Sequence, residues 1–119
     1  MHELSVCLSL LEQVEQIARE HDASSVTRII LSVGPLSGVE PELLKNAYPL
    51  AVAGTVAADA ALVMESADIV VRCSQCDGET KAAPNKLLCA ACGDHRTQII
   101  SGDELMLMSV ELDTSGVRP

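Results

Sequence analysis

Four of the five cysteines fall into two matched pairs, Cys73-Ser-Gln-Cys76 and Cys89-Ala-Ala-Cys92, with twelve residues between them. Each C-x-x-C turn can present two thiolates from one side. Two such turns can converge on a tetrahedral S4 site, a geometry that Zn(2+) accepts with no preference from its d electrons. Four sulfurs leave no open coordination position, so the metal is expected to hold structure rather than hydrolyse a substrate. Iron in a rubredoxin-like site is the alternative metal. A thioredoxin-type dithiol fits poorly, because two matched pairs argue for one shared ion. Gly78 and Gly93 follow the two turns, where a glycine can take positive φ.

A second arrangement stands at the start, Met1-His2-Glu3. A bulky second residue such as His2 resists removal of the initiator, which leaves a free α-amine one residue from an imidazole. The amine, the His2 amide nitrogen and the His2 ring can close two fused chelate rings. A deprotonated Glu3 amide completes a planar four-nitrogen set, the environment that Ni(II) or Cu(II) prefers. By itself an N-terminal Met-His is common and usually frayed. Here a helix begins at once and holds it. His95 reads as an exposed loop histidine three residues after Cys92, and His21 as a polar residue near a helix end. Cys7, the odd cysteine, reads as a small buried hydrophobe.

Around these residues the pattern predicts an α/β arrangement. Leu4 to about His21 has apolar residues at helical spacing: Leu4, Cys7 or Leu8, Leu11, Val14, and Ile17 or Ala18. Val26–Val33 reads as a β-branched strand. A loop, Gly34-Pro35-Leu36-Ser37-Gly38, leads to a second helix with Pro41 in its first turn and acidic Glu40 and Glu42 at its positive end. That helix is expected to run to about Val52, with Pro49 kinking or shortening it and Gly54 ending it. Strands follow at Ala61–Glu65, Ile69–Arg72, Thr97–Ile100 and Leu105–Leu112, with room for a small hairpin between Gly78 and Leu88. Strands on both sides of the cysteines make that module an insertion into a sheet. The expected division is an α/β domain of residues 1–67 plus 101–119, a small mixed sheet with two helices, and an inserted zinc-knuckle domain of residues 68–100.

Composition narrows the function. The chain has 119 residues, 48% of them apolar, with no Phe or Trp and one Tyr. Its core must therefore be aliphatic. The net charge is −9, with eight Lys plus Arg. Phosphate contacts need cations and single-strand binding needs aromatic platforms, so a nucleic-acid-binding zinc ribbon is disfavoured. No nucleophile, base and orienting residue occur together, and no Gly-rich phosphate loop is present, so an enzyme is not expected. No apolar run is long enough to span a bilayer. No basic n-region precedes an apolar segment, so a cytoplasmic location is expected, where spaced cysteines favour metal over disulfides.

Met1-His2-Glu3-Leu4-Ser5, the stretch Gly34-Pro35-Leu36-Ser37-Gly38-Val39-Glu40-Pro41-Glu42, the two C-x-x-C pairs and Ile100-Ser101-Gly102-Asp103-Glu104-Leu105 occur in that order. Together they resemble the HypA/HybF family of hydrogenase nickel-incorporation proteins over nearly the whole chain. The resemblance implies a metallochaperone with a nickel-binding domain and an inserted zinc domain. It implies transient Ni(2+) at Met1, His2 and Glu3, and structural Zn(2+) at Cys73, Cys76, Cys89 and Cys92. His95 stands where some members place a further nickel ligand. The implied partners are a HypB-type GTPase and the large subunit of [NiFe]-hydrogenase, with urease a client of some members. A homodimer is a further expected assembly; nucleic acid and membrane are not expected. Pro49 and the scarcity of aromatic residues depart from the family pattern, and they bear on helix geometry more than on function.

Overall fold

In the computed structural model, residues 2–114 are described. α1 (His2–Glu20) buries Cys7, Leu10, Leu11, Val14 and Ala18. These recur at three- and four-residue intervals and make one continuous stripe. The choice left open by the sequence falls to Cys7 and Ala18, while Leu8 is half exposed. β1 (Ser25–Val33) buries Val26, Ile29, Leu31 and Val33. α2 (Pro41–Val52) packs on α1 and buries Leu44, Ala51 and Val52. β2 (Ala61–Ser66), β3 (Ile69–Cys73), β4 (Glu79–Ala82), β5 (Thr97–Ser101) and β6 (Leu105–Asp113) complete the order.

Pro49 neither ends nor displaces α2, which continues to Val52. A proline removes the hydrogen bond to the carbonyl four residues earlier, here Lys45. Both residues are exposed, so water can serve that carbonyl. Gly54, with φ +76°, follows the C-cap Ala53 and terminates the helix in the left-handed conformation.

The strands form two three-stranded sheets, ordered β2-β1-β6 and β4-β3-β5. Hydrogen bonds beyond the strand ends fix the directions in the first. Ser24 N–H donates to Asp113 O and Gly34 N–H to Glu104 O, so β6 runs antiparallel to β1. Val26 N–H donates to Val56 O and Ala67 N–H to Val33 O, so β2 runs parallel to β1, joined through α2. In the second sheet both pairings with β3 are antiparallel.

The chain resolves into two compact units. Of the described residues, one unit comprises 2–31, 40–64 and 107–114; the other comprises residues 32–39 and 65–106. The first holds both helices and an aliphatic core in which Tyr48, the one aromatic residue, donates its hydroxyl to Ala60 O at 3.0 Å. The second holds Cys73, Cys76, Cys89 and Cys92, with Ile69, Val71 and Val33 as its buried aliphatic residues. Residues 34–36 join the second unit through backbone bonds: Gly34 N–H to Glu104 O at 2.9 Å and Leu36 N–H to Gly102 O at 2.8 Å. Gly34 must be glycine, since a Cβ there would stand 2.4 Å from Gly102 O and 2.9 Å from Glu104 O.

Candidate metal centres

Two turns bring the four cysteines together. β3 delivers Cys73 at its C-terminal end, and the chain reverses so that Asp77 N–H donates to Cys73 O and Cys73 N–H to Gly78 O. The second turn repeats this: Gly93 N–H donates to Cys89 O and Cys89 N–H to Asp94 O. The left-handed residue is Gly93 (φ +79°) in the second turn, as its position suggests, but Asp77 (φ 59°) in the first. Gly78 serves differently. A Cβ there would sit 3.2 Å from Cys76 Sγ, so glycine lets the backbone close on the sulfur.

The sulfurs of Cys73, Cys76, Cys89 and Cys92 all lie within 4.8 Å of one another. Cys73 Sγ is 3.6 Å from Cys92 Sγ, and Cys76 Sγ is 3.6 Å from Cys89 Sγ. These separations are too long for disulfides, at about 2.05 Å. They are two opposite edges of a four-sulfur cluster of the size that a tetrahedral zinc site, with zinc–sulfur distances of about 2.3 Å, requires. Cys73 and Cys89 are buried, Cys76 and Cys92 exposed.

Backbone N–H groups aim at the sulfurs. Gln75 N–H donates to Cys73 Sγ at 3.3 Å. N–H groups of Cys92 and Ala91, acting against burial, hold Cys89 down at about 6. At Cys92 the N–H of Asp94 acts downward, but the thiols of Cys73, Cys89 and Cys76, with burial, push it up to about 12. At Cys76 the Gly78 N–H is likewise outweighed by the neighbouring Cys89 thiol, and the net shift is upward. Four thiols this close cannot all ionise unless a cation shares their charge. The donor set therefore fits a soft divalent ion, and these four residues would hold Zn(2+). The second turn is braced from outside: Asp94 Oδ1 accepts Arg96 N–H at 2.8 Å and Nε–H at 3.0 Å, and Asp94 Oδ2 accepts Nη2–H at 2.8 Å. Sequence reasoning missed this pair, although an Asp-x-Arg directly after a knuckle glycine is its visible signal.

At the other centre, Met1 lies outside the described residues. α1 begins at His2, which is exposed, and Glu3 is half-buried. The first N–H groups of a helix have no acceptor within it, so the His2 and Glu3 amides are outside the helical ladder. The Glu3 carboxylate is lowered from its ordinary value by its own backbone N–H, and further by Glu40 N–H and His2, against partial burial. Glu40 N–H reaches Glu3 Oε2 at 3.4 Å. The sequence gives Glu40 only a role in the α2 dipole, and nothing local reveals this bond across 37 residues. His95 is 82% exposed at its side chain, 3.9 Å from Asp94. Cys7 is buried and its thiol donates to Leu44 O at 3.7 Å, with burial pushing its pKa up.

Residues 1–112 match the family described as hydrogenase/urease nickel incorporation, metallochaperone, hypA. The chain belongs to the HypA family. A HypA relative in Nitrosospira multiformis, named hydrogenase maturation factor HypA, is 47% identical over 115 residues, covering 97% of this chain and all of that protein. The HypA relative of the same name in Aquifex aeolicus is 45% identical, covering 95% and 98%. Among solved structures, the solution structure of the Ni metallochaperone HypA from Helicobacter pylori aligns with TM-score 0.73 at 25% identity, over 95% of this chain and 98% of that one. A second HypA solution structure aligns with TM-score 0.75 at 26% identity, over 97% and 98%. The family assignment and the α/β architecture with a four-cysteine knuckle thus agree with the sequence resemblance.

Proposed function

We propose that this chain carries Ni(II) at its N-terminus and, with a GTPase of the HypB type, delivers it to the large subunit of [NiFe]-hydrogenase, with urease a second client. The observation that carries this reading is the start of α1 at His2, within a family defined by nickel incorporation. The Met1 amine, the amides of His2 and Glu3 and the His2 imidazole are four adjacent nitrogens, and little loop-closure entropy opposes their chelation. Neither amide has a helical acceptor to lose. Closing five-membered rings through successive nitrogens draws ψ toward zero, whereas a helix holds about −42°. Loading therefore opens the first turn, and relaxation of that turn favours release.

Zinc has the opposite task in this reading. Residues 68–100 form the zinc domain inserted into residues 1–67 plus 101–119, and Cys73, Cys76, Cys89 and Cys92 hold their ion permanently. His95 is the auxiliary nickel ligand that the family resemblance offers. The chain is a carrier rather than a catalyst and works in the cytoplasm, where its thiols stay reduced. The acidic surface suits protein partners with basic surfaces over nucleic acid, and a homodimer would have to form through apolar rather than charged contacts.

Calorimetry with Ni(II) tests the proposal. His2→Ala is expected to abolish nickel binding and leave zinc content and fold unchanged, because His2 is exposed. A tag that blocks the Met1 amine does the same, and His95→Ala only weakens binding. Unaltered nickel affinity in His2→Ala would remove the basis for the N-terminal site.

A further inference from the structure

Among the described residues, helices α1 and α2 leave apolar surface uncovered on their outer side. A groove of about 250 Å3 there is lined by Glu3, Leu4, Leu43, Asn46, Ala47 and Leu50. Leu43 is 51% exposed and Leu50 73%. Half-exposed Leu8 extends the row one turn beyond Leu4. The core contact of α2 is already made by Leu44, Ala51 and Val52. Leu43, Ala47 and Leu50, at i, i+4 and i+7, therefore make a second apolar face that folding does not use.

Charge around the groove says what covers it. Glu3 lines the groove, the N-cap Glu40 donates its N–H to the Glu3 carboxylate, and Glu42 directly precedes Leu43; Glu12 and Glu15 add negative charge further along α1. Lys45 is the one basic residue of α2, and Arg19 stands in the last turn of α1. A second copy would set one acidic rim against another, and an anionic membrane would be repelled in the same way. We infer that this groove docks an apolar helical segment of another protein whose flanks carry Lys and Arg. Because Glu3 lines the groove, the docked segment lies beside the N-terminal residues. The inference goes beyond the nickel reading and does not depend on it.

A synthetic amphipathic helix with Leu at i, i+4 and i+7 and Lys on its flanks is the probe, titrated into the full chain by fluorescence anisotropy at low salt. A peptide with Glu in place of Lys is the control. The Lys-flanked peptide is expected to bind and the Glu-flanked one not. Leu43→Asp and Leu50→Asp should each weaken binding at least about tenfold, and Glu42→Lys about fivefold. The leucine variants add negative charge, so capture by charge alone would tighten on them. Both leucines are exposed, and circular dichroism with zinc analysis checks that the variants fold. His2→Ala is expected to leave peptide binding unchanged whatever it does to nickel, which separates this inference from that reading. Equal binding of both peptides, binding of neither, or tighter binding to Leu50→Asp would each overturn it. So would recruitment of the chain to phosphatidylserine vesicles, or a dimer in sedimentation that Leu50→Asp dissolves.

Discussion

Removing Cys89 from the four-cysteine cluster, by Cys89→Ser, is expected to unfold one unit of the chain and spare the other. The cysteine-bearing unit has 50 residues. Its buried aliphatic side chains are Val33, Ile69 and Val71. At about 1.5–3 kcal/mol each they contribute about 5–9 kcal/mol. Structural zinc contributes about 10–16 kcal/mol in zinc-finger peptides, so the metal is the larger stabiliser of this unit. The helical unit is built otherwise, around Leu10, Leu11, Val14, Val26, Ile29, Leu31 and Leu44. Hydrogen exchange read by mass spectrometry distinguishes the two. With zinc bound, amides of β3 and β5 are protected. In Cys89→Ser they are expected to exchange freely, while those of α1 and the first part of β1 keep their protection. Persistent protection of β3 in a zinc-free chain would refute the reasoning. It would mean that three aliphatic residues and the backbone ladder suffice.

Gly34→Ala is expected to destabilise the same unit by about 3–5 kcal/mol, from overpacking against fixed backbone and the loss of two backbone hydrogen bonds. Urea unfolding measures it, and a loss under about 1 kcal/mol would contradict the Gly34–Gly102 crossing. Asp94→Asn removes the charge that grips Arg96 behind the second knuckle. It should speed zinc transfer to a competing chelator a few-fold without changing the bound metal, and an unchanged rate would make the pair ornamental.

Much of the fold was legible because its determinants are local. The stripe of α1, the β-branched run of β1, Pro41 and Gly54 around α2, and the paired cysteines each announce themselves within a few residues. What escaped depends on pairing and turn geometry that residue type alone does not announce. β4 is four residues, Glu-Thr-Lys-Ala, with no apolar alternation, and it is a strand because β3 offers it a ladder from Arg72 to Ile69. The positive φ at Asp77 was assigned to Gly78 because glycine is the usual bearer; an aspartate tolerates that conformation when a turn demands it. Pro49 looked like a breaker, yet in the last turn of an exposed face it costs a bond that water replaces. The four-cysteine cluster was readable from spacing, while the Glu3–Glu40 bond was not, since it joins ends of two helices that nothing in the sequence pairs.

The parallel pairing of β1 with β2, and its antiparallel pairing with β6, has a consequence for the order in which the protein can be made. β1 is the middle strand of its sheet, yet β6 begins 72 residues after β1 has ended. During synthesis α1, β1, α2 and β2 can associate early, as a βαβ unit with one open edge. The cysteine turns come next and can take up metal while β1 still lacks its second neighbour. Only when residues 105–113 emerge is that edge closed. A chain truncated before Leu105 would thus display a long unpaired strand, the kind of edge on which other chains assemble. A ribosome stalled there would hold a zinc-loaded but adhesive intermediate.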